Sequence, residues 1–244
     1  MGTPRSGAGT EESVQALSSG KQPPHRLFGR RKGRPLRTRK SALMRDLLPK
    51  LRIELPKKAP LDLRTLFQVK PREIWLEIGF GGGEHLVEQA RRHPDIGFIG
   101  AEPFVNGVAS LLVHIENNKT GNVRVWPDDA RPLLDMLPAG CIARCFILFA
   151  DPWPKARHAE RRFIGSENLP RLARVIKPNG ELVLASDDAK LIAWMKEQME
   201  SCRDFSEHSK PSTKRPQNWI ETRYERKALT AGRKPVYSSY ICAK

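Results

Sequence analysis

Five short apolar runs, each with an acid or a glycine cluster at its end and each followed by a helical pattern, leave this chain few folds to choose from. The first, Glu73 to Ile78, runs into Gly79-Phe80-Gly81-Gly82-Gly83 and a helix from Glu84 to about Arg92. The second, Gly97 to Glu102, precedes a helix from about Val105 to Glu116. The third, Asn122 to Trp126, meets Asp128 and Asp129 before a helix near Arg131 to Leu137. The fourth, Phe146 to Ala150, stops at Asp151; a helix from about Gly165 to Val175 follows and ends at the turn signal Pro178-Asn179-Gly180. The fifth, Glu181 to Ala185, ends at Ser186-Asp187-Asp188 and feeds a helix through Ala189 to Cys202. Runs this apolar belong to strands covered on both faces. Strands alternating with helices predict an α/β fold, a parallel sheet joined by right-handed crossovers. Open sheets of this kind bind ligands at the carboxyl ends of their strands, where these acids fall.

The rest of the chain is arranged around that core. Residues 1 to 40 are rich in Gly, Pro, Ser and charge and nearly empty of large apolar side chains, so a disordered arm is expected. Its second half is basic, from Arg26 through Arg30, Arg31 and Lys32 to Arg39 and Lys40, which suits a segment tracking a nucleic-acid backbone as well as a solubilising tail. Residues 41 to 70 read as a helical lead-in and residues 71 to 244 as one domain, with Leu43, Leu47, Leu48 and Leu51 at helical spacing in the former. Beyond the polar stretch 203–217, Val236, Tyr237, Tyr240 and Ile241 mark a last strand. Thr222, Arg223, Tyr224 and Glu225 face no obvious core, and on pattern alone they read as a loop-stabilising cluster.

Charge points to the partner. Lys+Arg number 43 against 27 Asp+Glu, a net charge of +16 that predicts a polyanion, with an anionic membrane surface as the competing explanation. No apolar run approaches the roughly 18 residues of a membrane span, and the amino end lacks the apolar core of a secretory signal. Cys141, Cys145, Cys202 and Cys242 fit neither a zinc ribbon nor a CxxC pair, so free thiols in a cytoplasmic, metal-free monomer or homodimer are expected.

The strand ends describe a cofactor. Gly79, Gly81 and Gly83 form GxGxG in a strand–loop–helix setting, where backbone can approach a ligand beside a helix amino end. Glu84 breaks the dinucleotide fingerprint GxGxxG and puts an acid near the phosphate position, which disfavours a nicotinamide oxidoreductase. Glu77 and Glu84 instead suit a cofactor with a cationic amino-acid part. Glu102 is placed to accept from ribose hydroxyls, and Asp129 with Ala130 from an adenine amino group. Each acid alone fits a helix cap or a solvated loop charge equally well. Together they describe a pocket for S-adenosyl-L-methionine. Past Asp151, Pro152-Trp153-Pro154 forces a turn, and the cationic run Lys155, Arg157, His158, Arg161 and Arg162 follows.

The segments LEIGFGGGEHL, IGAEPF, DDARPLL, FADPWPKARHAERRF and TRYERKAL resemble the tRNA (guanine-N7-)-methyltransferase family. The likeness runs from about Phe28 to the end, with a looser piece at GRRKGRPLR, and DPWPK with the distant TRYE is its most specific part. The resemblance implies a class I, Rossmann-like methyltransferase fold with a seven-stranded, mostly parallel sheet. It implies methyl transfer from S-adenosyl-L-methionine to N7 of guanine 46 in the tRNA variable loop. By position it puts the methyl donor at Glu77, Glu102, Asp129 and Asp151, and guanine or tRNA at Lys155, Asp187 and Thr222 to Glu225. The family often has Asn and Lys where this chain has Ala159 and Glu160.

Guanine N7 already presents an unprotonated lone pair, so such a reaction asks for alignment and charge stabilisation rather than a base. Asp151 is the catalytic candidate, while Trp153 suits either stacking on a flipped base or anchoring a core. Lys155, Arg157, Arg161 and Arg162 are candidate phosphate contacts. Three other readings compete: methylation of an amino group on another base, a non-catalytic RNA-binding protein on a methyltransferase scaffold, and the disfavoured oxidoreductase.

Overall fold

The computed structural model describes residues 27–58, 60–217 and 219–243. At its centre lies β1 (Glu73–Ile78), whose alternation decides what covers each face of the sheet. Ile74, Leu76 and Ile78 point to one side and Trp75 and Glu77 to the other, as a two-residue period requires. Around it run β2 (Ile96–Ala101), β3 (Val123–Trp126), β4 (Ile142–Leu148), β5 (Ile176–Ser186), β6 (Phe205–Ser212) and β7 (Val236–Cys242). They form a seven-stranded sheet in the order β3-β2-β1-β4-β5-β7-β6, parallel except for β7, which is antiparallel to both neighbours.

Helices cover both faces. On one side α3 (Glu84–Arg92) and α4 (Val105–Asn118), backed by α1 (Thr38–Asp46) and α2 (Leu48–Leu51), set Leu86, Val108, Leu111 and Leu112 against Trp75, Phe98 and Phe146. On the other, α5 (Ala130–Met136), α6 (Leu169–Val175) and α7 (Ala189–Ser201) set Leu133, Leu134, Leu172 and Met195 against Leu76, Ile147 and Leu184. A last helix, α8 (Arg223–Thr230), precedes β7. Leu76 has no exposed surface, so Leu76→Ala should lower stability by about 3 kcal/mol. Urea unfolding checks this as a shifted midpoint at unchanged slope.

The strands fall where their apolar runs predict, and the differences have physical causes. The fourth strand begins at Ile142 and ends at Leu148, because Phe149 (φ 54°) and Trp153 (φ 42°) turn the chain in the left-handed region before the prolines. Pro178-Asn179-Gly180 does not separate helix from strand: α6 passes directly into β5 at Ile176. The three residues are absorbed as a bulge, the pairing stepping from Ile142↔Ile176 to Arg144↔Glu181. Pro170, in the first turn of α6, accompanies a helix start at Leu169 rather than Gly165. The cationic run forms a 3-10 turn, Ala156–Arg161. The polar stretch after residue 203 supplies an edge strand, β6, held by the buried Phe205.

The expectation of a disordered arm over residues 1–40 fails at its end. Residues 1–26 lie outside the described residues, but 27–37 run along the carboxyl edge of the sheet and α1 begins at Thr38. Val105 donates to the Arg31 carbonyl (2.9 Å), Gly33 N–H to Asn106 Oδ1 (2.8 Å) and Asn106 Nδ2 to the Arg34 carbonyl (2.7 Å), so the first turn of α4 holds the segment. An ion pair, Arg31–Asp128 (2.9 Å), adds a second anchor.

Candidate active site

The sheet order reverses between β1 and β4, and a cavity of about 350 Å³ opens there at the strands' carboxyl ends. Its floor is the glycine loop. Gly79 (φ 72°) and Gly81 (φ 56°) take left-handed conformations that a side chain would strain. A Cβ at Gly79 would meet nothing within 4 Å, so the backbone there borders open space. At Gly81 it would strike the ring of Tyr224, 2.6 Å away, which lies across the loop. Gly83 is the residue before α3 and does not border the cavity.

Glu102 follows β2 and is 8% exposed. Its two oxygens accept from the Gly81 amide (2.8 Å) and the Phe104 amide (2.9 Å), tying the loops after β1 and β2 together. Burial pushes its carboxyl above the ordinary range, against those two hydrogen bonds, and the charges of Asp151 and Glu77 push the same way. Burial likewise raises the Tyr224 phenol, with Glu102 adding to it. Asp129 caps α5 through the Arg131 amide (3.0 Å) and is held by the Arg131 guanidinium (2.6 Å); with Ala130 it lines the same cavity.

Asp151 stands exposed where this cavity meets a smaller one running toward Trp153 and Arg161. Phe28 and Gly29 of the arm form the opposite wall, and a Cβ on Gly29 would lie 3.6 Å from Asp151 Oδ2. Phe28 meets Trp153 edge-on at 6.3 Å, and the Arg161 guanidinium sits 4.4 Å from the Phe28 ring and 5.2 Å from Trp153. The amino-terminal segment is therefore part of the cavity wall. The sequence signal was the short piece around GRRKGRPLR, which the composition of its surroundings obscures.

Of the residues expected to act together, Gly79, Gly81, Glu102, Asp129, Ala130, Asp151 and Tyr224 share one cavity. Glu77 lies beneath the loop, hydrogen-bonded to His85, and does not line the cavity. Asp187 pairs with Arg233 (2.6 Å), Thr222 caps α8 through the Glu225 amide (3.1 Å), and buried Glu225 pairs with Arg215 (2.8 Å). Arg162 donates to the carbonyls of Pro152 and Trp153 (both 3.1 Å), so it braces the turn, as Arg161 does through the two rings. Lys155, Arg157 and Arg223 are exposed. Desolvation and the charges of Arg161, Arg157 and Lys155 hold His158 below its ordinary range, the mark of a positive field on this side.

A glycine loop and acid-tipped strands on a seven-stranded sheet with an antiparallel β7 between β5 and β6 define a class I methyltransferase. The family model described as "Putative methyltransferase" matches residues 71–238. The chain is 46% identical over 218 residues to the tRNA (guanine-N(7)-)-methyltransferase of Rhodospirillum rubrum, covering 87% of this chain and 86% of that one. It is 47% identical over 219 residues to the protein of that name from Paramagnetospirillum magneticum (88% and 92%) and 48% over 229 residues to that of Granulibacter bethesdensis (91% and 96%). The chain belongs to the tRNA (guanine-N7-)-methyltransferase family. Among solved structures it is similar in fold to the 16S rRNA methyltransferase KamB, with a TM-score of 0.53 at 15% identity over 72% of this chain and 90% of that one.

Proposed function

We propose that this protein transfers the methyl group of S-adenosyl-L-methionine to N7 of guanine 46 in the tRNA variable loop, giving 7-methylguanosine. One observation carries the reading: Glu102, Asp129 and Asp151 line a single cavity, and the exposed cations Lys155 and Arg157 begin just past Asp151. The names of relatives 46–48% identical support the substrate. A cytoplasmic location accords with that substrate, and no helix among the described residues is long and apolar enough to cross a membrane.

The residues present fit the cofactor. The open space over Gly79 leaves room for a ligand against backbone, and the acids suit ribose hydroxyls, an adenine amino group and an ammonium group. Glu102 would hold the ribose and Asp129 and Ala130 the adenine, while Glu77, beneath the loop and outside the cavity lining, would attract the amino-acid end by its charge. When bound, S-adenosyl-L-methionine supplies a methyl carbon made electrophilic by its sulfonium.

The chain's own residues then align and stabilise. N7 needs no proton removed, so no general base is required. Asp151, at the mouth between cavity and cationic turn, orients the guanine by accepting from its N–H edge and offsets the positive charge that N7 alkylation puts on the ring. The arm segment at Phe28 and Gly29 walls the cavity from water. Lys155, Arg157 and Arg223 contact tRNA phosphates, the Thr222–Glu225 segment at the start of α8 shapes the guanine side of the mouth through Tyr224, and Asp187 is a guanine contact by its family position.

Replacing Lys155 and Arg157 together by Ala should weaken tRNA binding and reduce the slope of log affinity against log salt by about 2. Filter binding from low to moderate salt measures it, and an unchanged slope would refute the phosphate role. With labelled S-adenosyl-L-methionine and unmodified tRNA, label is expected in 7-methylguanosine. Label in another nucleoside would reject the assignment. Binding of tRNA without any transfer would favour an RNA-binding protein on a methyltransferase scaffold.

A further inference from the structure

Glu77 sits on the central strand between Gly100 and Phe146 and is 3% exposed. A carboxylate in such a place is costly unless something donates to it. The donor is His85, in the first turn of α3 and 2% exposed, whose Nδ1 lies 2.8 Å from Glu77 Oε2. The imidazole is packed 4.5 Å from Trp219 and 5.0 Å from Phe146, and Trp219 in turn meets Tyr237 at 5.9 Å. His85 Nε2 is buried and has no hydrogen-bond partner among the described residues.

These contacts constrain the histidine. A carboxylate only accepts, so the hydrogen bond needs the N–H at Nδ1, and Nε2 is left buried beside aromatic rings. The Glu77 carboxylate is thereby fixed beneath the glycine loop, and its charge is felt at Glu102, the next acid along the edge.

We infer that His85 is a positioning residue, whose Nδ1–H clamps the Glu77 carboxylate beneath the Gly79–Gly83 loop, outside the cavity lining, so that its charge acts through the loop on the ammonium group of the methyl donor. This rests on the reading of the cavity as an S-adenosyl-L-methionine site. The sequence offered no sign of it, because a histidine two residues into a helix looks like any other.

Two ligands separate the roles. S-adenosylhomocysteine carries the amino-acid part; 5′-methylthioadenosine shares the adenosyl group and lacks it. Calorimetric titration of the full chain should show His85→Phe weakening the first about tenfold while leaving the second within about twofold. His85→Asn, whose amide nitrogen takes the place of Nδ1, should restore the preference. Should His85→Phe fail to fold, His85→Gln carries the same expectation, since its amide reaches the Nε2 position instead. Equal weakening of both ligands, or no weakening of either, would overturn the positioning role. Glu77→Gln is the control on the underlying reading: if it leaves the preference for S-adenosylhomocysteine intact, Glu77 does not meet the ammonium group, whatever His85 does.

Discussion

Asp151→Asn is expected to lower kcat about a hundredfold while tRNA affinity stays within about twofold. The substitution keeps the shape of the side chain and one acceptor oxygen but removes the charge. Asp151 is exposed at the junction of the two cavities, so the loss of a carboxylate there should not disturb the core. The effect should fall on the step in which positive charge moves from sulfur to the purine ring, which single-turnover methyl transfer isolates from binding. The strain stored around it supports a functional role: Phe149 and Trp153, each two positions from Asp151 on either side, both adopt positive φ. Near-full turnover by the Asn variant would remove Asp151 from the chemistry.

Glu102→Ala should have the largest effect on cofactor binding, weakening S-adenosylhomocysteine about a hundredfold. Two losses combine. The ribose hydroxyls lose a charged acceptor, and the Gly81 and Phe104 amides, now joined through one carboxylate, lose their common partner. Unpaired amides at a buried position also cost stability, about 2 kcal/mol by thermal or urea unfolding. Glu102→Gln should recover part of the stability and little of the affinity. Because burial raises the Glu102 carboxyl, cofactor binding by the wild type should decline on acidification from a higher pH than an ordinary carboxylate would give. Glu102→Gln should flatten that limb; an unaltered pH profile would assign it to another group.

How much of this was legible beforehand depended on which interactions reported themselves locally. β1, β2 and the carboxyl halves of β4 and β5 are covered on both faces, so each appears as an apolar run, and the acids at their ends fall where the runs stop. The cavity residues Gly79, Gly81, Glu102, Asp129 and Asp151 follow from that placement alone. By contrast β6 shows seven exposed residues after Phe205 and contains Pro211, a pattern shared with any polar loop; only its pairing with β7 makes it a strand. The arm over residues 27–37 is held by backbone bonds to α4 and by an arginine between two rings, contacts that no composition of its own announces. Arg161 and Arg162 read as surface cations because charge is visible in a sequence and the carbonyls and rings that absorb it are not. Tyr224 is the reverse case, a residue of a turn with no core of its own that reaches Gly81 across the fold.

If the acid-lined cavity and the cationic turn act on one guanine, the position of the methyl group on an unmodified tRNA transcript will show it. After incubation with S-adenosyl-L-methionine, borohydride reduction and aniline treatment, which together cleave RNA at 7-methylguanosine, should break the transcript at position 46, and the break should vanish when that guanine is replaced by adenine. Scission at another position, or scission that survives the replacement, would mean that the cavity and the cationic turn do not serve that guanine.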